Sequence, residues 1–295
     1  LSKALTFSQI NDFGSAIEKA NFDREEHNKY TNAFETGFSN LDKKISGSQS
    51  NDFIVIAGRP NIGKTALAIN MAEHYSAQNK PVLFFNLGTQ NESFSQRVLT
   101  SLFSDDRQLL EKAILIGKLD SNEHLRVTTI MQKLVNTQIY VEDAFITSPE
   151  LCASAKQFFK ENNGNLGLIF INYLQLLQLN ENKASKVCST LKSLAIEINV
   201  PVIALSQLNR SLEQRADKRP IVSDLRDSNA IESSADLIMF IYHDELYNAE
   251  TSDKGIAEII IAKQRNGKAE KVKLGFTKIG SCLLYTSPSP RDMWT

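Results

Sequence analysis

The residues with the clearest potential for chemistry form one stretch, Gly58-Arg59-Pro60-Asn61-Ile62-Gly63-Lys64-Thr65. It matches the pattern Gly-x-x-x-x-Gly-Lys-Thr at every fixed position, and it lies between an apolar run, 53–57, and a helix-like segment, 66–75. The backbone N–H groups of such a loop and the positive end of the following helix dipole together bind phosphate. Lys64 is predicted to reach the β- and γ-phosphates, and the Thr65 hydroxyl to bind Mg²⁺. The sequence therefore predicts a nucleoside-triphosphate site rather than a chance glycine turn before a helix.

Two carboxylates that such a site normally needs are missing from their expected places. One should end a neighbouring strand and hold the water shell of Mg²⁺, and the other should orient or deprotonate the attacking water. The fourth predicted strand ends in Asn172, whose neutral amide cannot supply the charge that helps to fix Mg²⁺. The second ends in Asn86 and continues into Leu87-Gly88-Thr89, which contains no acid. Glu92 is the nearest acid that follows, but it would need a rearranged strand end to substitute.

Three further polar stretches are candidates for phosphate contacts, each with a plainer alternative. Gln207 ends the fifth predicted strand, where its amide is either a γ-phosphate sensor or a solvated polar group. The long segment 209–226 has an excess of Arg and Lys, which suits either phosphate contacts or an ordinary solvated loop. Lys263 and Arg265 alternate at a strand tip. They either point at a phosphate, in their own subunit or across an interface, or belong to a simple basic hairpin.

The bulk composition excludes several classes of protein. With 295 residues and 42% hydrophobic content, the chain can bury one sizeable core. A formal net charge of −1 provides no overall basic field, so any nucleic-acid contact must come from a local patch or from several subunits together. Cys152, Cys188 and Cys282 are widely separated, which favours reduced thiols in a cytoplasmic or matrix compartment over a metal site. No apolar run approaches the roughly 20 residues of a membrane span, so no membrane partner is expected.

Apolar runs alternate with helical patterns along most of the chain. This alternation predicts an α/β fold in which a mostly parallel sheet carries helices on both faces. The last third changes to strands joined by short polar turns, which predicts antiparallel strands at the C-terminal edge of the sheet. The predicted strands are 53–57, 81–86, 139–142, 166–172, 201–206, 237–243, 255–263 and 271–276.

Three parts of the chain are expected. Residues 1–32 have an amphipathic stripe, from Ile10 to Ala20, and a charged linker, and 33–280 form the ATPase domain. Residues 281–295 have a composition unlike natural protein sequence, and we expect them to be disordered. The chain begins at Leu1 rather than Met, which we interpret as the sign of a fragment.

Several stretches together resemble the C-terminal motor domain of the DnaB-type replicative DNA helicases. The match runs from about Thr36 to Phe276, which is most of the chain. Two segments separate this family from other RecA-like ATPases, namely Ser223-Asp224-Leu225-Arg226-Asp227-Ser228 and Ile261-Ala262-Lys263-Gln264-Arg265-Asn266-Gly267. The other specific segments are 57–65, 173–176, 200–210 and 217–220.

The resemblance implies a RecA-like fold, a homo-hexameric ring with ATP sites between subunits, and single-stranded DNA in the central channel. It implies that Lys64 and Thr65 bind the phosphates of ATP and Mg²⁺, with Gln207 as the γ-phosphate sensor. Lys263 and Arg265 would act in trans on the neighbour's ATP, Arg265 as an arginine finger. The DNA contacts would come from Arg210, Arg226, Asp227 and Asn229. A primase and a helicase loader would be partners, and the helix from Ile10 to Ala20 would dock on the adjacent subunit.

The sequence departs from the family pattern at three positions. Gly88 stands where the family has its catalytic glutamate, and Asn172 stands where it has an aspartate. Asn229 replaces a glycine of the DNA loop, a mild change if that position needs a positive φ, because Asn tolerates it. We predict ATP binding with hydrolysis reduced by several orders of magnitude. Two hypotheses remain, an ATP-dependent helicase motor domain and a hydrolysis-deficient ring subunit that acts as a scaffold.

Overall fold

A computed structural model describes residues 34–45, 48–87, 119–142, 147–181, 184–265, 267–277 and 282–284, with single positions at 94, 98, 101, 109 and 112. The chain divides into two compact units, 1–33 and 34–295. The first unit lies outside the described residues, and so does the predicted helix within it. The domain boundaries expected near residues 32 and 280 stay predictions.

Within the described residues, nine strands form one sheet in the order β3-β2-β4-β5-β1-β6-β7-β8-β9. Strands β1 to β6 are parallel, and β7 to β9 continue the sheet in antiparallel fashion. The predicted fold class is therefore confirmed. The strands are β1 (Phe53–Gly58), β2 (Val82–Asn86), β3 (Ile139–Glu142), β4 (Leu168–Asn172), β5 (Val202–Gln207), β6 (Leu237–Tyr242), β7 (Ile256–Gln264), β8 (Glu270–Thr277) and β9 (Cys282–Leu284).

The central strands are apolar on both faces because helices cover the sheet on both sides. All six residues of β1 are buried, and its side chains alternate between two cores. Phe53 and Val55 belong to one hydrophobic cluster, whereas Ile54 and Ile56 belong to the other. Near-continuous runs of Val, Ile and Phe form such strands because both faces are removed from water.

The helices of the described residues are α1 (Ser39–Lys44), α2 (Lys64–Ala77), α3 (Ser121–Asn136), α4 (Ser148–Glu161), α5 (Leu174–Glu181), α6 (Ala184–Ile198) and α7 (Ser228–Ser234). Short sequence patterns determine where some of these helices begin. The backbone N–H and hydroxyl of Thr147 donate to Glu150 at the start of α4, and Pro149 occupies its first turn. The sequence pattern also predicts helices over about 92–104 and 106–116, and these ranges fall mostly outside the described residues.

Three residues of the tail that we expected to be disordered lie in a strand. Residues Cys282–Leu284 form β9 and pair with β8 in antiparallel fashion. The last strand of a sheet offers unpaired N–H and C=O groups, which accept a further strand with little regard to composition. The other residues of the predicted tail lie outside the described residues.

The strand order determines which side chains can meet. The carboxyl ends of β1 and β5 lie side by side, with Gly58 opposite Gln207. Those of β2 and β4 also lie side by side, with Asn86 opposite Asn172. The glycine-rich loop Gly58–Thr65 (the P-loop) and the candidate acid positions therefore lie at the same end of the parallel strands, the end where the strands finish. We call this end the carboxyl edge of the sheet. Ligand sites of open α/β sheets lie at this end.

Candidate nucleotide site

The P-loop, Gly58–Thr65, leaves β1 at the carboxyl edge and runs directly into α2, which begins at Lys64. Its glycines are required by the backbone and by the packing. Gly63 has φ +102, a conformation that side chains rarely adopt, and a Cβ there would lie 3.2 Å from the Phe276 ring. A Cβ at Gly58 would approach Ile62 Cγ2 to 2.6 Å. The chain can close this tight loop only with glycine at both positions.

Lys64 is folded back onto the loop that precedes it. Its Nζ donates to the carbonyl oxygens of Gly58 at 3.0 Å and of Arg59 at 2.8 Å. The residue is 4% exposed. Burial, and secondarily the positive charge of Arg59, lower the pKa of the Lys64 ammonium to about 8. Thr65 follows at the start of α2 and is also buried. Both side chains that were predicted to bind phosphate and Mg²⁺ are thus held at the loop.

Arg59 is held from outside the P-loop. Its Nε donates to Glu213 Oε1 at 2.8 Å, and its Nη1 donates to the carbonyl oxygen of Leu208 at 3.0 Å. Glu213 lies on a short 3₁₀ helix, Arg210–Gln214. The motif pattern leaves position 59 free, so sequence reasoning gave no signal for this ion pair.

The two strand-end asparagines form a buried amide pair. Asn172 Nδ2 donates to Asn86 Oδ1 at 3.0 Å, and both residues are almost fully buried. Asn172 Oδ1 has no hydrogen-bond partner among the described residues. A buried acceptor without a donor is costly, which indicates a place for a ligand or water that can donate. Sequence reasoning singled out Asn172 but not its partner. Gly88 and Glu92 lie outside the described residues.

Gln207 ends β5 next to Gly58, and its side chain is exposed. Its backbone is positioned by Gln175 of α5, because the Gln207 N–H donates to Gln175 Oε1 at 3.3 Å. Gln175 Nε2 in turn donates to Ser206 Oγ at 2.7 Å. Gln175 is therefore a supporting residue of the candidate sensor that sequence reasoning had quoted only within a family signature.

The candidate DNA residues lie in two segments that the structure brings together. Leu208 and Leu225 form an isolated antiparallel bridge, and the Asn209 N–H donates to the Asp224 carbonyl at 2.9 Å. Arg210 and Arg226, which follow these segments, are both exposed. The side chain of Arg226 is 58% exposed.

Asn229 does not occupy a position of positive φ. The left-handed residue is Asp227, with φ 57, which precedes α7. Asn229 lies within α7 and is exposed. A helical position needs no glycine, so the replacement is mild for a different reason from the one we expected.

Lys263 and Arg265 lie at the opposite end of the parallel strands, the end where these strands begin, which we call the amino edge. Strand β7 runs antiparallel to β6, so its last residues are next to the amino end of β6, and the Arg265 N–H donates to the Asp236 carbonyl at 2.9 Å. Lys263 Nζ donates to the Ala235 carbonyl at 2.7 Å. The Arg265 guanidinium is 3.7 Å from the Asp236 carboxylate, and the Arg265 side chain is 71% exposed. Strand β1 separates these two residues from the P-loop by about 16 Å, at about 3.3 Å per residue.

The described part of the chain lacks two features. None of its helices is long and apolar enough to span a membrane. Nor does it contain a group of three or more His, Cys, Asp or Glu side chains that could hold a metal ion without other ligands.

The combination of a P-loop at the carboxyl edge, a mostly parallel sheet and an antiparallel extension defines a RecA-like ATPase domain. Two solved structures support this class at 30% sequence identity. One is described as an ATPase domain, with TM-score 0.82 and coverage of 93% of this chain and 98% of that chain. The other is a DnaB-like replicative helicase studied for its interactions with primase, with TM-score 0.81 and coverage of 96% and 67%.

Residues 33–281 match the family model for the DnaB-like helicase C terminal domain, and the chain belongs to that family. The replicative DNA helicase DnaB of Buchnera aphidicola subsp. Acyrthosiphon pisum is 47% identical over 250 residues, which are 82% of this chain and 53% of that protein. The replicative DNA helicase DnaB of Haemophilus influenzae is 41% identical over 276 residues, which are 90% and 58%. The family prediction is confirmed. The chain spans a little over half the length of these relatives.

Proposed function

We propose that this chain is the motor domain of an ATP-dependent replicative DNA helicase, which assembles as a homo-hexamer and translocates on single-stranded DNA. The observation that carries the proposal is the complete P-loop, with Lys64 and Thr65 buried at its end, in a domain that matches the family from residue 33 to 281. A cytoplasmic location goes with this function, because a replicative helicase must reach the chromosome.

ATP binding is assigned to the P-loop residues Gly58, Arg59, Pro60, Asn61, Ile62, Gly63, Lys64 and Thr65. On binding, Lys64 Nζ exchanges its two carbonyl acceptors for phosphate oxygens. An ammonium that is buried against carbonyl dipoles gains more from a phosphate than a solvated one does, because it has already lost its water. Gln207 is assigned to sense the γ-phosphate, since it ends the strand next to Gly58.

Mg²⁺ would be held by the Thr65 hydroxyl and by Asn172, together with oxygens of ATP. The residues fit the ion in one respect. No described residue donates to the buried Asn172 Oδ1, and a metal-bound water is a donor. Mg²⁺ keeps several waters and takes oxygen ligands, so a neutral amide oxygen is an acceptable outer partner. When bound, Mg²⁺ neutralises charge on the β- and γ-phosphates.

The trans half of the ATP site is assigned to Lys263 and Arg265. Their position at the amino edge of the sheet supports this assignment, because they are a strand length away from their own P-loop. Each would serve the nucleotide of an adjacent subunit, Arg265 as the arginine finger. Single-stranded DNA is assigned to Arg210, Arg226, Asp227 and Asn229, which are exposed. Primase and a helicase loader are the proposed protein partners.

Hydrolysis is proposed to be slow, and this leaves a second candidate function. The Asn86–Asn172 pair is neutral, and Gly88 provides no base, which favours a ring subunit that binds ATP and acts as a scaffold. Steady-state ATP hydrolysis and strand separation should be measured on one preparation of the assembled protein. Turnover of order 1–100 per second, the range of ordinary phosphoryl-transfer enzymes, would contradict slow hydrolysis. Nucleotide binding without either activity would support the scaffold.

A further inference from the structure

The P-loop is connected to a second segment through Arg59. The guanidinium places both Nε and Nη2 2.8 Å from Glu213 Oε1 and donates through Nη1 to Leu208 O. The Arg59 side chain is only 13% exposed, so its planar group is closely held. Leu208 also donates its N–H to the carbonyl of Gly58 at 3.3 Å. The loop and the segment that follows β5 are therefore joined at both Gly58 and Arg59.

Arg59 is also in contact with the phosphate-binding lysine. Lys64 Nζ donates to the Arg59 carbonyl at 2.8 Å. A triphosphate that captures the Lys64 ammonium removes this bond, because the same protons then go to phosphate oxygens. The backbone of Arg59 thus has a different set of contacts with and without nucleotide, and its side chain lies on Glu213 in the described state.

The segment behind Glu213 is a connected unit that ends at the candidate DNA residues. Leu208, Leu212 and Leu225 are buried in the core. Arg215 forms a bidentate pair with the buried Asp224, with Nη1–Oδ1 at 2.8 Å and Nη2–Oδ2 at 2.9 Å. Bidentate pairs of this kind fix orientation as well as distance. A displacement of the 3₁₀ helix that carries Glu213 would consequently be passed to Asp224 and Leu225, which directly precede Arg226.

We propose that Glu213 is a positioning residue that couples ATP binding at the P-loop to binding of single-stranded DNA at Arg210 and Arg226. This inference rests on the proposed function, and it adds the contact through which the two sites communicate. The Glu213 side chain is 45% exposed, so the ion pair contributes little to folding stability and can break and re-form. An ion pair with this property suits a reversible link between two sites.

Coupling between two binding sites is reciprocal and can be measured from either side. The test uses the full chain, the fluorescent non-hydrolysable nucleotide mant-AMP-PNP with Mg²⁺, and a fluorescein-labelled oligothymidylate. The affinity for each ligand is measured alone and in the presence of a saturating amount of the other. In the unmodified chain the two ratios should agree and lie between about 5 and 150.

Glu213→Ala should reduce both ratios to about 1, while the affinity for each ligand alone stays within about threefold of the original value. Glu213→Gln keeps an acceptor oxygen for Arg59 without the charge, and it should give an intermediate ratio. The matched control is Glu197→Ala, which removes another half-exposed ion pair, with Lys156 on the neighbouring helix. Its ratios should equal those of the unmodified chain.

Three results would overturn the proposal. The ratios could survive in Glu213→Ala, the unmodified chain could show ratios of about 1, or Glu213→Ala could abolish binding of one ligand alone. In all three cases the unmodified chain still binds mant-AMP-PNP and the oligothymidylate, so the proposed function stands. Failure of the unmodified chain to bind the nucleotide would instead remove the proposed function and the coupling with it.

Discussion

The two edges of the parallel sheet carry cations in opposite circumstances. At the carboxyl edge, Lys64 is 4% exposed and bonded to two carbonyls of its own loop. At the amino edge, the Arg265 side chain is 71% exposed, and its guanidinium has the Asp236 carboxylate at 3.7 Å. The cation at the carboxyl edge is therefore buried within its own loop, whereas the amino edge presents an exposed charged group.

This difference indicates how an ATP site can be divided between subunits. A buried lysine can bind phosphate without a second surface that excludes solvent, because its own subunit has already removed the water around it. An exposed arginine gains strength only when a second surface excludes solvent around it, since Coulomb interactions weaken strongly in water. We therefore expect nucleotide binding to be a property of one subunit and turnover to be a property of a pair. The following predictions test this division.

The largest effect is expected at the amino edge. In a chain in which Gly88→Glu and Asn172→Asp provide both acids, Arg265→Ala should lower turnover by about 10³- to 10⁵-fold. The affinity for mant-AMP-PNP should stay the same, because the P-loop is unchanged. Steady-state hydrolysis and nucleotide titration measure the two quantities. Lys273→Ala, which removes a half-exposed cation of β8 bonded to Asp253, is the control and should leave both unchanged.

Mixing two inactive variants tests most directly whether Lys64 and Arg265 act on one ATP from two different subunits. Both variants are made in the chain that carries Gly88→Glu and Asn172→Asp, because hydrolysis by the unmodified chain is proposed to be slow. Lys64→Ala lacks the proposed phosphate lysine and Arg265→Ala lacks the proposed arginine finger, yet a mixed ring contains interfaces at which both residues are intact. In a random equal mixture about a quarter of the head-to-tail interfaces are complete. Turnover should therefore reappear on mixing. If the mixture stays inactive while it assembles normally, the two residues act within one subunit and the division is wrong.

The second largest effect is expected at the carboxyl edge. Adding Gly88→Glu and Asn172→Asp together should raise turnover by about 10²- to 10⁴-fold, the usual contribution of a positioned base. Asn172→Asp alone should mainly strengthen the Mg²⁺ dependence of nucleotide binding, because a carboxylate replaces a neutral amide. Hydrolysis assays and Mg²⁺ titrations distinguish the two. No gain from the double change would favour the scaffold over the motor.

Much of the carboxyl edge was predictable because its determinants are local. The P-loop motif predicts the conformation of its own backbone, and apolar runs such as Phe53–Ala57 predict buried strands. The Asn86–Asn172 pair was not predictable, since it depends on β2 lying next to β4, and spacing along the chain does not give strand order. The location of Arg265 was equally hidden, because it follows from the antiparallel register of β7.

The lowered pKa of Lys64 predicts how nucleotide binding depends on pH. Its pKa is lowered to about 8 in the nucleotide-free protein, and a bound triphosphate must raise it. Below pH 8 the ammonium is present and affinity should be nearly constant. Above pH 8 binding requires uptake of a proton, so the affinity for mant-AMP-PNP should fall by up to about tenfold per pH unit. Lys64→Arg, which stays charged, should lose this dependence, and an unchanged slope in that variant would assign the effect to another group.

The smallest effect is expected at Glu73, a partly buried acid whose contacts differ from those of the buried Asp236. Asp236 at the amino edge accepts the Phe53 N–H at 2.9 Å and pairs with Lys192. Glu73 of α2, behind the P-loop, accepts only from the neutral donors Asn70 and Ser101, and its Oε1 has no hydrogen-bond partner among the described residues. Burial therefore raises the pKa of the Glu73 carboxyl from 4.5 to about 7.

The sign of the resulting pH effect follows from the direction of that shift. Below pH 4.5 Glu73 is protonated in both states, and between pH 4.5 and 7 the unfolded chain releases its proton first. The free energy of unfolding should then fall with rising pH, by up to about 3 kcal/mol in total at pH 8. Glu73→Gln should be more stable than the unmodified chain at pH 8 and similar to it at pH 5, by urea denaturation. The exposed Glu161→Gln is the control. The difference in the free energy of unfolding between Glu73→Gln and the unmodified chain could also stay constant from pH 5 to pH 8. That result would show that Glu73 is ionised in the folded protein over this whole range. Helix α2 would then accommodate a carboxylate as well as the amino edge does.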